Sequence, residues 1–174
     1  MKAIVVYESL WGNTAAVARA IAEGIGQGAR ALATDEATAA DVAEADLVVA
    51  GAPVMGFQLP TEGMREQVRR GASREARPPD LAHPTLRSWL DRLPAGRGRS
   101  AAFETRFRWS PGGATGAIDK RLTRAGYRPL TPPAKFIVRG KYGPLREGEI
   151  ERARAWGATL AQCLARGVEP VRPS

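Results

Sequence analysis

The chain has one cysteine, Cys163, and one histidine, His83. A single thiol excludes an internal disulfide framework and any cysteine-rich metal site. A single imidazole excludes a multi-histidine centre, so zinc or haem chemistry is not expected. No apolar run approaches the ~20 residues that a membrane-spanning helix needs. Met1–Tyr7 holds a short apolar run but no signal-peptide cleavage pattern, and it leads into polar Glu8 and Ser9. The expected compartment is the cytoplasm, with no insertion into a membrane. Basic stretches with interleaved aromatics are missing too, apart from Arg106-Phe107-Arg108-Trp109. Nucleic-acid binding then rests on charge alone and is the weakest reading.

The 174 residues, 44% of them hydrophobic and 25% charged, are ordinary for a globular protein and make disorder a poor reading. The length suits one domain over 1–174, large enough to bury a real core. The net charge of +8 is uneven. Residues 1–59 hold 3 basic and 7 acidic groups, residues 60–130 hold 15 and 7, and residues 131–174 hold 8 and 4. The excess is mainly arginine in the middle and C-terminal parts. Such a field favours acidic partners or anionic ligands, and equally describes a solvated basic face.

Strand and helix patterns alternate along the chain. Ala3–Tyr7 is apolar and β-branched, as in a strand buried on both faces. A turn at Glu8–Gly12 follows, and Asn13 or Thr14 can cap a helix running to about Gly26. Ala29–Thr34 is a weak second strand, Asp41–Ala45 a short helical turn, and Leu47–Ala50 the next buried strand, ending at Gly51-Ala52-Pro53. Thr61 can cap a helix over Glu62–Arg70. The Gly71–Pro84 stretch reads as a surface excursion, and Thr85–Leu93 as a helix. Ser100–Thr105 is a fourth strand, Ala114–Ala125 a helix, Tyr127–Val138 a segment holding the fifth strand, and Glu147–Ala165 the last helix. Five alternations imply a parallel sheet with helices on both faces.

Doubly wound sheets bind ligands beyond the carboxyl ends of their strands, where the strand order reverses. Three loops qualify: 8–14, 52–60 and 105–113. In the first, Ser9-Leu10-Trp11-Gly12-Asn13-Thr14 joins strand to helix. A helix N-terminus offers free N–H groups and a positive dipole end, which suit a phosphate. Gly12 lets the backbone approach an anion, and Ser9, Asn13 and Thr14 add donors. The loop has no Lys or Arg and matches neither the dinucleotide fingerprint nor the Walker pattern. A plain helix cap explains Asn13 or Thr14 equally well.

Ser-x-x-Gly-Asn-Thr after a first apolar strand resembles the phosphate loop of flavodoxins. Asp46–Pro53 is similar to the third strand of that family and the loop after it. Gly143–Glu149 with Trp156-Gly157 resembles the start of the last helix in small actinobacterial flavodoxin-like proteins. The resemblance implies an α/β, flavodoxin-like, doubly wound five-stranded parallel sheet of order 2-1-3-4-5, with FMN as cofactor. It implies electron transfer to a redox partner protein, here one with an acidic surface. By the same resemblance, Ser9, Leu10, Trp11, Gly12, Asn13 and Thr14 hold the phosphate and ribityl end. Pro53, Val54, Met55, Gly56 and Phe57 approach the ring from one side, Gly56 standing where flavodoxins use a flexible peptide near flavin N5. Thr105, Arg106, Phe107, Trp109 and Gly113 approach from the other, with Phe107 or Trp109 stacking. Positive charge from Arg106 and Arg108 would favour anionic reduced flavin and raise the two-electron potential above that of an acidic flavodoxin.

The sequence departs from the family in three places. Trp11 replaces a hydroxyl residue, as an aromatic does in quinone-reductase-like members. Val54 replaces a hydroxyl donor, and the third loop is arginine-rich where electron carriers are acidic. Two alternatives therefore stand beside the carrier: an NAD(P)H-dependent FMN quinone or nitro reductase, and a flavin-free domain acting as a binding or regulatory module. Elsewhere, Trp89 and Trp156 fall on apolar helix faces, Cys163 reads as a buried inert thiol, and His83 as structural or solvated. Asp91 and Glu104 form no recognisable carboxylate pair. The basic 65–77 stretch reads as a solvated face or a dock for an acidic partner.

Overall fold

The computed structural model describes residues 1–167. The last residues of the expected 1–174 domain, 168–174, lie outside the described part. The elements are β1 (Ala3–Tyr7), α1 (Asn13–Ile25), β2 (Ala29–Ala33), α2 (Ala39–Ala43), β3 (Leu47–Pro53), α3 (Glu62–Gly71), α4 (Leu86–Asp91), β4 (Arg99–Arg106), α5 (Thr115–Arg124), β5 (Arg128–Pro129), β6 (Ala134–Ile137) and α6 (Glu149–Arg166).

The strand order is β2-β1-β3-β4-β5, with β6 also on β4, and every pairing is parallel. This is the expected doubly wound order with one change. The fifth position is occupied by two short strands, not one. Residues 130–133, with Pro132-Pro133 among them, separate the two, and proline has no N–H to give to the ladder. Along β1 the side chains alternate between two cores. Ala3, Val5 and Tyr7 join α1 and α6 on one side, while Ile4 and Val6 join α4 and α5 on the other. That double burial is why β1 and β3 read as unbroken apolar runs.

Other boundaries differ by a few residues. The second helix is Ala39–Ala43, earlier than its apolar pattern suggested, because Thr38 and Asp41 form a reciprocal capping box. Thr61 and Thr85 cap α3 and α4 through the N–H groups of Met64 and Ser88. The cap of α1 is neither Asn13 nor Thr14. Gly12 occupies that position at φ 94°, with no side-chain cap, since the left-handed turn already aims the chain into the helix. Trp89 is core, whereas Trp156 and Cys163 are only half-buried at the edge of the α1–α6 core.

Glycine sets the spacing of α1 and α6. A Cβ on Gly157 would lie 2.2 Å from the Ile21 carbonyl oxygen, and one on Gly24 would lie 1.9 Å from that of Arg154. Backbone cannot yield as a side chain does. Gly157→Ala should therefore lose about 1–3 kcal/mol despite the better helix propensity of alanine. Urea unfolding measures this, and an unchanged or raised midpoint would contradict the packing argument.

Candidate functional site

The carboxyl ends of β1, β3 and β4 open into a cleft of about 270 Å³. Ser9, Leu10, Trp11, Asn13 and Thr14 line it from the first loop, Pro53, Val54, Met55 and Gly56 from the second, and Thr105, Arg106 and Phe107 from the third. The three loops singled out in the sequence thus meet at one place. Gly12, Phe57, Trp109 and Gly113 do not line the cleft. Gly12 is the exposed cap of α1, and Phe57 and Trp109 point outward, 60% and 85% exposed.

The first loop is held from within. The Gly12 N–H donates to Ser9 Oγ at 3.1 Å, so the Ser9 hydroxyl proton remains to be donated elsewhere. The first helical bond runs from Ala16 N to the Gly12 carbonyl at 3.0 Å. The amides of Asn13, Thr14 and Ala15 are therefore at the open, positive end of α1. Thr14 and Thr105 join their hydroxyls at 2.8 Å, which fastens the first loop to the third. The Val54 N–H donates to the Thr105 carbonyl at 2.9 Å, which fastens the second loop to the third.

The second loop is a tight hairpin. Met55 and Gln58 exchange backbone hydrogen bonds of 2.9 and 3.0 Å around Gly56 at φ 50° and Phe57 at φ 67°. Two left-handed residues make a type I′ turn, whose second position ordinarily belongs to glycine. A phenylalanine there costs about 1 kcal/mol of backbone strain. The Gly113 N–H donates to the Phe57 carbonyl at 2.9 Å and stitches this hairpin to the third loop.

The third loop hangs on Glu104, a residue for which the sequence suggested no partner. Glu104 is fully buried near the end of β4. Its Oε2 accepts from the N–H groups of Ala114 and Thr115 at 2.6 and 3.0 Å, so a distant carboxylate caps α5. Its Oε1 accepts from Arg106 at 2.8 Å, and Arg106 also donates to the Gly112 carbonyl at 3.0 Å. Arg106 therefore brings no uncompensated positive charge to the cleft, contrary to the sequence expectation. Glu104 and Arg106 are two residues apart on one strand and share a face. That period of two is the signal that could have paired them.

A second buried carboxylate, Glu8, lies directly before the first loop. Its Oε2 accepts from the Leu86 N–H at 2.8 Å, while Oε1 has no hydrogen bond and lies 3.9 Å from the Arg65 guanidinium. Burial pushes Glu8 up to about 7, against the opposing pull of the Leu86 N–H and Arg65. Arg65 donates to the His83 carbonyl and is the only buried residue of α3. The basic 65–77 stretch is accordingly not one solvated face, because its first arginine is interior. His83 is buried, with Nδ1 3.6 Å from Asp80 Oδ1, which fits the structural reading.

A fourth wall was also missed. Val138, Gly140 and Lys141 line the cleft from the loop after β6. Glu75, in the excursion before α4, accepts from Lys141 Nζ at 2.6 Å and from the Tyr142 hydroxyl. The Trp11 indole N–H donates to the Arg77 carbonyl at 3.0 Å, its ring meets Tyr142 edge-on at 5.5 Å, and Lys141 Nζ lies 5.0 Å from its centroid. Trp11 is thereby fixed as a rigid side of the cleft. The rule that ligands lie beyond carboxyl strand ends, applied to the fifth position as well, would have pointed to this loop.

The donor set fits a phosphorylated aromatic ligand. Neutral amides and hydroxyls lie at the α1 end, and Trp11, Met55, Val54, Val138 and Phe107 supply apolar walls. Among the described residues no cluster of His, Cys, Asp and Glu could hold a metal ion, and no helix is long and apolar enough to cross a membrane.

The family model described as flavodoxin matches residues 5–90. No curated protein sequence matches the chain. Solved structures do resemble it. An archaeal flavodoxin superposes with TM-score 0.65 at 20% identity, over 95% of this chain and 99% of that one. Flavodoxin 1 from Bacillus cereus gives 0.64 at 16% identity, over 97% and 100%. Rubredoxin:oxygen oxidoreductase from Desulfovibrio gigas gives 0.60 at 16% identity, over 95% of this chain and 36% of that much longer one.

Proposed function

We propose that this flavodoxin-like chain binds FMN in the cleft and works in the cytoplasm as an electron carrier to a redox partner with an acidic surface. The observation that carries the reading is one cleft joining the open amides of α1 to apolar walls at the carboxyl ends of β1, β3 and β4. Ser9, Asn13, Thr14 and the first amides of α1 would hold the phosphate. The positive end of the helix would offset its charge without a loop cation. Trp11, Met55 and Phe107 would pack on the ribityl chain and ring, and the Gly56 peptide would face the ring edge. FMN when bound supplies the redox chemistry. The chain's part is to grip the phosphate, exclude water with Trp11 and Phe107, and keep Arg106 neutralised by Glu104.

Titration with FMN tests the proposal, with flavin fluorescence as the readout. Saturable quenching with a Kd of about a micromolar or tighter is the expected result, and riboflavin should bind at least ~10-fold more weakly because it lacks the phosphate. No quenching would remove the carrier reading and leave the flavin-free binding module. NADPH oxidation with a quinone acceptor at enzymatic rates would instead favour the reductase.

A further inference from the structure

The large exposed hydrophobic residues among the described part are Met1, Phe57, Phe107 and Trp109. Three of these four stand on the two neighbouring loops that flank the cleft. The Gly113 N–H to Phe57 carbonyl bond joins the loops, and Gly112 passes so close that its Cβ would lie 2.1 Å from that carbonyl oxygen. The rings of the second and third loops are thus held on one rim. Phe57 stays outward in a backbone conformation that suits glycine, so the turn sacrifices stability to display a ring. Phe107 lines the cleft and is still 49% exposed, so the rim is continuous with the ligand site.

The charge on this rim has one sign. Residues 53–60, 105–113 and 138–146 contain no Asp or Glu, but they include Arg106, Arg108, Arg139, Lys141 and Arg146. Three of the five are compensated, by Glu104, Glu75 and Glu149. Arg108 and Arg139 make no ion pair among the described residues. The Arg108 guanidinium instead lies 5.1 Å from the Trp109 ring centroid, which presents cation and indole together. Aromatic residues and arginine are the side chains that carry most binding energy at protein interfaces.

We infer that Phe57, Phe107, Arg108 and Trp109 form a docking surface for a protein whose contact face is acidic around an apolar hollow. A basic partner is disfavoured by the unpaired Arg108 and Arg139, and a second copy of this chain by its own positive charge. The inference deepens the redox-partner reading, and its test needs no flavin. The chain without flavin is titrated with a plant-type [2Fe–2S] ferredoxin of negative net charge, and with cytochrome c of positive net charge as counter-probe, both followed by NMR. Ferredoxin should bind and shift the amides of 56–58 and 106–110, weakening about tenfold between low and physiological salt, while cytochrome c should not bind. Trp109→Ala and Arg108→Glu should each weaken ferredoxin about tenfold or more. Phe57→Gly should weaken it several-fold while raising thermal stability, which separates a displayed contact from a structural one.

No ferredoxin binding at low salt, shifts mapping away from the rim, equal binding of cytochrome c, or unchanged affinity in all three variants would each overturn the docking surface. FMN titration is read separately. Ferredoxin binding without FMN binding keeps the docking surface and removes the carrier reading, whereas FMN binding with no ferredoxin binding does the reverse.

Discussion

Glu104→Ala should destabilise the protein by about 3–5 kcal/mol, a large part of the total stability of an ordinary domain. The carboxylate accepts two backbone N–H groups at the start of α5 and the Arg106 guanidinium, all in a fully buried setting. Its removal leaves Arg106, itself buried, with only carbonyl partners, and leaves the Ala114 and Thr115 amides unpaired. Glu104→Gln should cost less, because the amide oxygen can still accept from the helix end. Urea unfolding of both variants checks this. A loss below about 1 kcal/mol for the alanine variant would show that the carboxylate is not what holds β4, α5 and the third loop together. The cleft should feel the same change, since Arg106 and Thr105 are cleft residues. An alanine variant that remains folded should bind FMN more weakly than the glutamine one.

The second large effect is a dependence on pH. The buried Glu8 carboxyl rises from its ordinary range near 4.5 to about 7 in the folded chain. Folding therefore binds a proton there, and stability falls as pH climbs through that window. A displacement of this size is worth about 3 kcal/mol. Asp119, pushed up to about 6 by burial, adds a slope of the same sign. The carboxylates held low, Asp41 at about 2 together with Glu44, Glu66, Glu75 and Glu149, act in the opposite sense and at more acid pH. The groups facing Glu8 are Arg65 and Glu62 from α3, Arg87 and the Leu86 N–H from α4. Denaturant unfolding at pH 5 and pH 8 should show the parent losing more stability than Glu8→Gln, by about 2–3 kcal/mol. Parallel pH profiles for the two proteins would mean that Glu8 stays ionised throughout.

These two carboxylates also mark where sequence reading stopped. The strands β1 and β3 were legible because burial on both faces leaves an unbroken apolar run. The first loop was legible because strand, glycine and helix N-terminus are contiguous in the chain, and the strand-end rule then gathered the second and third loops around it. Glu104 and Arg65 were not legible as buried residues, because an isolated Glu or Arg in a sequence reads as solvated. Their partners come from other elements: the backbone at the start of α5 for Glu104, and Glu8 and the His83 carbonyl for Arg65.

By itself, then, the order of residues determined the doubly wound sheet and the sites of the three loops that follow β1, β3 and β4. Periodicity and composition are local, and they suffice for those features. Only the tertiary structure decided that Gly12 caps α1, that Pro132-Pro133 splits the fifth strand, that Lys141 and Glu75 close a fourth wall around Trp11, and that Phe57 and Trp109 face outward instead of into the cleft. The fourth wall depends on which backbone groups and charges meet across long stretches of chain, and the α1 cap and the split strand on the exact backbone path at one glycine and two prolines. A pattern of apolar and polar residues does not carry that information until the sheet has brought them together.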